Sequence, residues 1–129
     1  MATTAKDLLA RARQRIREIS PEEARHELDA GAIALDVRET EEVADGHVPS
    51  AVHIPRGFLE FKAPQHEALG DPNRAVVVYC KGGSRAALAA ETLQDLGYAN
   101  VSSIAGGYEA WTQGGHPIAL PEDADEEEE

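Results

Sequence analysis

The chain has 129 residues, 24 of them acidic and 12 basic, with a formal net charge of −12 and a single cysteine. This length fits one domain, and the acidic charge argues against nucleic acid as a partner, since general electrostatic binding needs clustered cations. The longest unbroken apolar run, 75–80, is too short to cross a membrane. One cysteine excludes an internal disulfide and any metal site built from several cysteines.

The N-terminal segment predicts an amphipathic helix, which we assign to a helical extension over residues 1–18. An arginine-rich start also resembles a mitochondrial transit peptide, but Asp7 and Glu18 interrupt it, and transit peptides are poor in acids. No secretory h-region is present, so the cytoplasm is the expected compartment, consistent with a lone free thiol. Apolar residues recur at helical spacing with arginines between them, at Leu8, Leu9, Ala12, Ile16 and Ile19.

The region 19–120 alternates helical and strand patterns with short connections. Ser20-Pro21-Glu22-Glu23 has the spacing of an N-cap, a first-turn proline and a capping-box glutamate, and Gly31 ends the helix that begins there. Apolar runs predict strands at 32–37, 51–54, 75–80 and 101–104. Further helices are predicted at 41–45, 58–62, 85–96 and 108–113, with a loop at 63–74.

This alternation predicts an α/β fold with three layers, in which helices cover both faces of a mostly parallel central sheet of about five strands. In the helix 85–96, the pattern places Leu88, Thr92, Leu93 and Leu96 on the inward face. The final stretch, 121–129, is almost wholly acidic and predicts a disordered tail, because like charges without apolar side chains cannot bury a core. Such a tail would raise solubility or engage a partner.

Two polar residues, Asp36 and Cys80, lie at the carboxyl ends of predicted strands, where ligands collect in parallel α/β sheets. Cys80 is followed by a Gly-containing loop and then by a helix N-terminus. This arrangement would point backbone N–H groups and the positive end of a helix dipole at the sulfur. The context therefore predicts a nucleophilic thiolate rather than a buried structural cysteine.

Arg85 lies in the first turn of the helix that follows Cys80, where its charge opposes the helix macrodipole. A cation at this end is unfavourable for the helix but suited to binding an anionic substrate. The alternative is an arginine that points into solvent.

Three motifs resemble those of the single-domain rhodaneses. Cys80-Lys81-Gly82-Gly83-Ser84-Arg85-Ala86 resembles their Cys-x-x-Gly-x-Arg active-site loop. Residues 36–55 resemble their Asp-Val-Arg … Gly-His-Ile-Pro-Gly-Ala … Ile-Pro segment, and residues 106–118 resemble their closing Gly-Gly … Ala-Trp motif. Ser50 stands where the family usually has glycine, and His116 replaces an apolar or aromatic residue. The resemblance also implies a short first strand at Glu18-Ile19.

The resemblance implies a sulfurtransferase that needs no cofactor. The Cys80 thiolate would take sulfane sulfur from a small donor such as thiosulfate, become a persulfide, and pass the sulfur to cyanide or a cellular thiol. The acceptor could also be a protein. Asp36 would order the loop through hydrogen bonds, and Arg38 would pair with an acid such as Glu42. The substrate-binding residues would be Lys81, Gly82, Gly83, Ser84 and Arg85.

Two alternatives remain open. One is a phosphatase or arsenate reductase on the same fold, although rhodanese-like phosphatases have a loop one residue longer than the four residues that separate Cys80 from Arg85. The other is a rhodanese-like binding, regulatory or sulfur-relay module, although such modules often lack the cysteine. No Walker loop, Ser-His-Asp elbow or dinucleotide fingerprint is present. The histidines lack the tight ligand spacing of a metal site, so we expect none.

Overall fold

The computed structural model describes residues 2–121 of the chain, so the predicted acidic tail lies outside the described residues except for Pro121. Its centre is a five-stranded sheet in the order β1-β5-β4-β2-β3, and every neighbouring pair of strands is parallel. The strands are β1 (Arg17–Ile19), β2 (Ile33–Asp36), β3 (Val52–His53), β4 (Val76–Tyr79) and β5 (Val101–Ile104). The predicted fold class, a parallel α/β sheet, is confirmed, and the first strand implied by the family resemblance is present.

In the described part of the chain, six α-helices connect or flank these strands. They are α1 (Ala5–Arg15), α2 (Pro21–Asp29), α3 (Thr40–Val43), α4 (Leu59–Lys62), α5 (Ser84–Asp95) and α6 (Gly107–Gln113). Single 3₁₀ turns lie at Arg56–Phe58, Ala63–Gln65 and Glu67–Leu69, so the predicted loop at 63–74 contains two of them. None of the helices in residues 2–121 is long and apolar enough to span a bilayer.

The capping box predicted for α2 forms as expected. The Ser20 hydroxyl accepts the Glu23 N–H at 3.1 Å, and the Glu23 carboxylate accepts the Ser20 N–H at 3.0 Å. These bonds satisfy two N–H groups that the start of the helix leaves without intrahelical partners. Thr4 and Asp7 form the same reciprocal pair at the start of α1.

Alternate residues of β4 face two separate apolar clusters, one on each side of the sheet. Val76 and Val78 pack with residues of α4 and α5, whereas Val77 and Tyr79 pack with residues of α2 and α6. Both faces of this central strand are therefore buried, which explains its unbroken apolar sequence. The sheet and its two helical layers place the carboxyl end of β4 at the centre of one edge.

The inward face of α5 differs from the prediction. Leu96 is 40% exposed, and Leu88 and Thr92 are only half-buried. The reason is that α5 packs against the sheet on one side and against α1 on the other, so small side chains are needed where backbones approach closely. The fully buried positions of α5 are Ala86, Ala87, Ala89, Ala90 and Leu93.

The helix α1 packs along α5 through Ala12, which is completely buried. An ion pair between Arg15 and Glu91, 2.9 Å long, joins the two helices at the surface. α1 ends at Arg15, and β1 follows within two residues, so the helix is shorter than its apolar pattern suggested. Ile19 belongs to the strand and is buried between the sheet and α2.

Candidate functional site

Cys80 directly follows β4, and only 1% of its surface is exposed. Its sulfur accepts hydrogen bonds from two backbone N–H groups, those of Gly83 at 3.0 Å and Ala86 at 3.3 Å. Gly83 is the N-cap of α5 and has φ +115°, a left-handed conformation that brings its N–H toward the sulfur. The N-terminus of α5 and two directed donors thus surround Sγ, an environment suited to negative charge on sulfur.

The first turn of α6 supports the cysteine loop from the side. Tyr108 N–H donates to the Cys80 carbonyl at 2.8 Å, and Glu109 N–H donates to the Lys81 carbonyl at 3.1 Å. Gly107 lies so close that a β-carbon there would be 2.6 Å from the Cys80 carbonyl oxygen and 2.5 Å from that of Lys81. Sequence reasoning assigned no site role to Gly107, although the Gly-Gly turn before α6 was its signal.

A cavity of about 380 Å³ opens above the cysteine loop. Four of the five predicted substrate-binding residues line it, together with Cys80. The fifth, Gly83, is buried and bonds to the sulfur instead. The wall also contains Glu109, which was not predicted as a site residue. The lining residues are Cys80, Lys81, Gly82, Ser84, Arg85 and Glu109.

Arg85 is held by Glu42 of α3. Its two terminal nitrogens donate to the Glu42 carboxylate at 2.7 and 3.0 Å, and about a third of each side chain is exposed. These hydrogen bonds lower the pKa of Glu42 to about 2 and raise the pKa of Arg85. The prediction that Arg38 pairs with an acid is confirmed, but that acid is Asp36 and not the suggested Glu42. The Glu42 side chain instead points from α3 toward the start of α5.

Arg38 pairs with Asp36, and both side chains are buried. The Arg38 Nη2 atom donates to Asp36 at 2.8 Å and to the Gly46 carbonyl at 2.7 Å, while Nε lies 3.1 Å from both Asp36 oxygens. Arg38 thus binds the Asp36 carboxylate. The prediction that Asp36 hydrogen-bonds to the cysteine loop is wrong. Its influence on the loop is indirect, since the guanidinium packs 4.2 Å from the Tyr108 ring centroid.

The histidines of the second motif form local hydrogen bonds. His47 Nδ1 lies 2.8 Å from the Val48 carbonyl, and His53 Nε2 lies 2.7 Å from the Arg38 carbonyl. His116 packs against Trp111 with ring centroids 4.8 Å apart. Within residues 2–121, no three His, Cys, Asp or Glu side chains are grouped so that they could hold a metal ion.

Comparison with known proteins agrees with this geometry. The sequence profile described as rhodanese-like domain matches residues 20–114. The chain belongs to the rhodanese-like family. The matched region begins directly after β1, and its first helix is α2.

Curated relatives of this rhodanese-like chain include sulfurtransferases. A sulfurtransferase of Allochromatium vinosum is 32% identical over 90 residues, which cover 70% of this chain and 80% of that protein. The thiosulfate sulfurtransferase GlpE of Haemophilus influenzae is 33% identical over 103 residues, which cover 79% and 93%. The chain therefore belongs to a rhodanese-like family that contains sulfurtransferases.

A solved structure from Rhodopseudomonas palustris, described as a protein of unknown function and possible tyrosine phosphatase, has the same rhodanese-like fold. The TM-score is 0.83 and the sequence identity 34%, and the similarity covers 92% of this chain and 96% of that one.

Proposed function

We propose that this rhodanese-like protein is a sulfurtransferase that carries sulfur on Cys80 as a persulfide. The observation that carries the proposal is the pair of N–H donors on Sγ, at 3.0 and 3.3 Å, beneath an open cavity of about 380 Å³. Two backbone N–H groups are placed to hydrogen-bond to the sulfur, and the thiolate is the nucleophilic form of cysteine. The cavity gives a small donor access to that sulfur.

In the first step, the Cys80 thiolate attacks the sulfane sulfur of a donor such as thiosulfate. A new S–S bond forms at Sγ, the S–S bond of the donor breaks, and sulfite leaves with the bonding electron pair. In the second step, a thiolate or cyanide attacks the terminal sulfur of the persulfide. The bond to Sγ breaks, and the Cys80 thiolate is regenerated.

The other residues around the cavity bind and orient the donor in this proposal. Lys81 and Arg85 supply positive charge, while Gly82, Gly83 and Ser84 provide backbone N–H groups that stabilise charge on the persulfide's terminal sulfur. Asp36 and Arg38 act as supporting residues through their buried pair, which packs against Tyr108.

A phosphatase is the second candidate, because a similar structure is described as a possible tyrosine phosphatase. One observation weighs against it. Only four residues separate Cys80 from Arg85, which gives a smaller loop than a tetrahedral phosphoryl group needs.

Intact-mass measurement after incubation with thiosulfate tests the proposal. We expect the wild type to gain one sulfur atom, which cyanide or dithiothreitol removes, and Cys80→Ser to gain none while unfolding at a similar temperature. A parallel assay with p-nitrophenyl phosphate tests the second candidate. Cys80-dependent phosphate release, without sulfur loading from any sulfane donor, would favour the phosphatase.

A further inference from the structure

Three charged residues line the cavity above Cys80, and the charge of one of them is already neutralised by an ion pair. Arg85 donates to Glu42 through both terminal nitrogens. Lys81 and Glu109 are different, because neither side chain joins an ion pair or side-chain hydrogen bond within the part of the chain that the structure describes. Among residues 2–121, the mouth of the cavity therefore presents one unpaired ammonium, that of Lys81, and one unpaired carboxylate, that of Glu109.

The position of Glu109 relative to the loop is set by the backbone. Its N–H donates to the Lys81 carbonyl, and that of Tyr108 donates to the Cys80 carbonyl. These bonds fix the start of α6 against the loop. The Glu109 carboxylate oxygen Oε1 lies 3.7 Å from the point where a side chain on Gly82 would begin. The carboxylate thus lies beside the loop, and Glu109 lines the same cavity as Cys80.

A carboxylate here disfavours anions and favours cations. Lys81 attracts the dianion thiosulfate, and Glu109 repels it. The electrostatic potential at the mouth of the cavity is therefore not strongly positive. An acceptor with an ammonium group near its thiol would form an ion pair with Glu109. A carboxylate on the same molecule would form an ion pair with Lys81.

We propose that Glu109 and Lys81 select amino-acid thiols and aminothiols as the sulfur acceptors of Cys80. This inference rests on the proposed persulfide function and deepens it. Glu109 binds the ammonium and Lys81 the carboxylate, while the acceptor thiolate attacks the terminal sulfur. That attack breaks the bond to Sγ, and the acceptor leaves as a persulfide. Glu109 is thus a specificity determinant, and Cys80 performs the chemistry.

Single-turnover kinetics with four thiols can test the proposal. Cys80 is first loaded from thiosulfate, and the loading is verified by intact mass. The loaded protein is then mixed with cysteamine, cysteine, 3-mercaptopropionate or 2-mercaptoethanol. The quantity compared is the rate-constant ratio of cysteamine to 3-mercaptopropionate. The intrinsic reactivities of these two thiols cancel when the ratio is compared between variants.

We expect Glu109→Gln to lower this ratio about five- to tenfold, and Glu109→Lys to lower it further, because the interaction is between charges at short range. Lys81→Met should raise the ratio and weaken the use of cysteine relative to cysteamine. Glu67→Gln is the matched control, since it makes the same charge change on an exposed 3₁₀ turn remote in sequence from the loop, and it should leave the ratio unchanged.

The outcomes separate this inference from the proposed function. Normal loading of Cys80 with the same ratio in wild type, Glu109→Gln and Glu109→Lys would overturn the acceptor selection alone. Equal shifts in Glu109→Gln and Glu67→Gln would also overturn it, because net charge rather than position would then explain the effect. Failure of the wild type to load sulfur from any sulfane donor would reject the persulfide function, and this inference with it.

Discussion

The guanidinium of Arg85 makes two short hydrogen bonds to the carboxylate of Glu42, although 43 positions separate the two residues in the chain. The pair joins α3 to the first turn of α5, beside the loop that carries Cys80. The positive charge of Arg85 alone would interact unfavourably with the dipole of α5. The negative charge of Glu42 offsets this unfavourable electrostatic energy. An anionic donor that uses Arg85 must therefore compete with Glu42.

Neutralising Glu42 should strengthen the use of an anionic donor. Glu42→Gln keeps the size of the side chain but removes its charge, which leaves the positive charge of Arg85 uncompensated at the cavity. We expect kcat/KM for thiosulfate to rise about three- to tenfold at low salt, with a smaller gain at high salt. Arg85→Ala should lower it. Similar losses in both variants would instead show that the ion pair positions the loop.

The same pair should contribute to stability in a defined pH range. Hydrogen bonding to Arg85 lowers the pKa of Glu42 to about 2, below the ordinary value of 4.5. A carboxylate with a lowered pKa stabilises the fold above its unfolded pKa, and this contribution is lost as the pH falls toward the folded value. Urea unfolding should show wild type about 1 kcal/mol more stable than Glu42→Gln at about pH 6, with the difference disappearing only below about pH 2. A difference independent of pH would contradict this origin.

Gly107 should tolerate no side chain. It has φ +63°, and a β-carbon would lie within 2.6 Å of the carbonyl oxygens of Cys80 and Lys81. We expect Gly107→Ala to lower the free energy of unfolding by about 2 kcal/mol or more and to reduce sulfur loading, because the loop must shift. Gly57→Ala is the control, since Gly57 lacks both a left-handed φ and a neighbour within 4 Å. Equal effects of the two substitutions on unfolding and loading would refute the close-packing argument.

The contact between α1 and α5 should contribute strongly to stability. Ala12 is completely buried at this contact, whereas Ala10, on the same helix, is exposed. Ala12→Asp would bury a carboxylate without a partner and should lower the free energy of unfolding by about 2–4 kcal/mol. Ala10→Asp should change it by less than about 0.5 kcal/mol. Thermal or urea unfolding measures both, and an equally mild effect of Ala12→Asp would mean that α1 separates readily from α5.

Much of the fold could be predicted from local sequence patterns. Ser20 and Glu23 are three positions apart, so their capping box is readable from sequence, and the apolar run 75–80 predicts the central strand that ends at Cys80. The family resemblance added the short strand β1. These features depend on neighbouring residues or on a recognised motif rather than on how distant elements meet.

The features that sequence reasoning missed depend on packing between distant elements. The helical periodicity predicted that Leu96 faces inward. In the structure, α1 packs against α5, and the alanines of α5 are buried instead. The partner of Arg85 depends on how α3 lies against α5, and the place of Glu109 at the cavity depends on hydrogen bonds between α6 and the loop. Neither relationship has a fixed spacing in the chain.

The strand order has a consequence for synthesis on the ribosome. β1 is an edge strand whose sheet neighbour is β5, and Ile19 pairs with Ile104 across that contact. β1 therefore emerges early from the ribosome, whereas its pairing partner β5 is the last of the strands to be translated. Until Val101–Ile104 emerges, one edge of the apolar strand Val76–Tyr79 also stays open, and an open apolar edge is a template for aggregation. A nascent chain that stops before Val101 cannot complete the sheet and should be a target for chaperones and proteases.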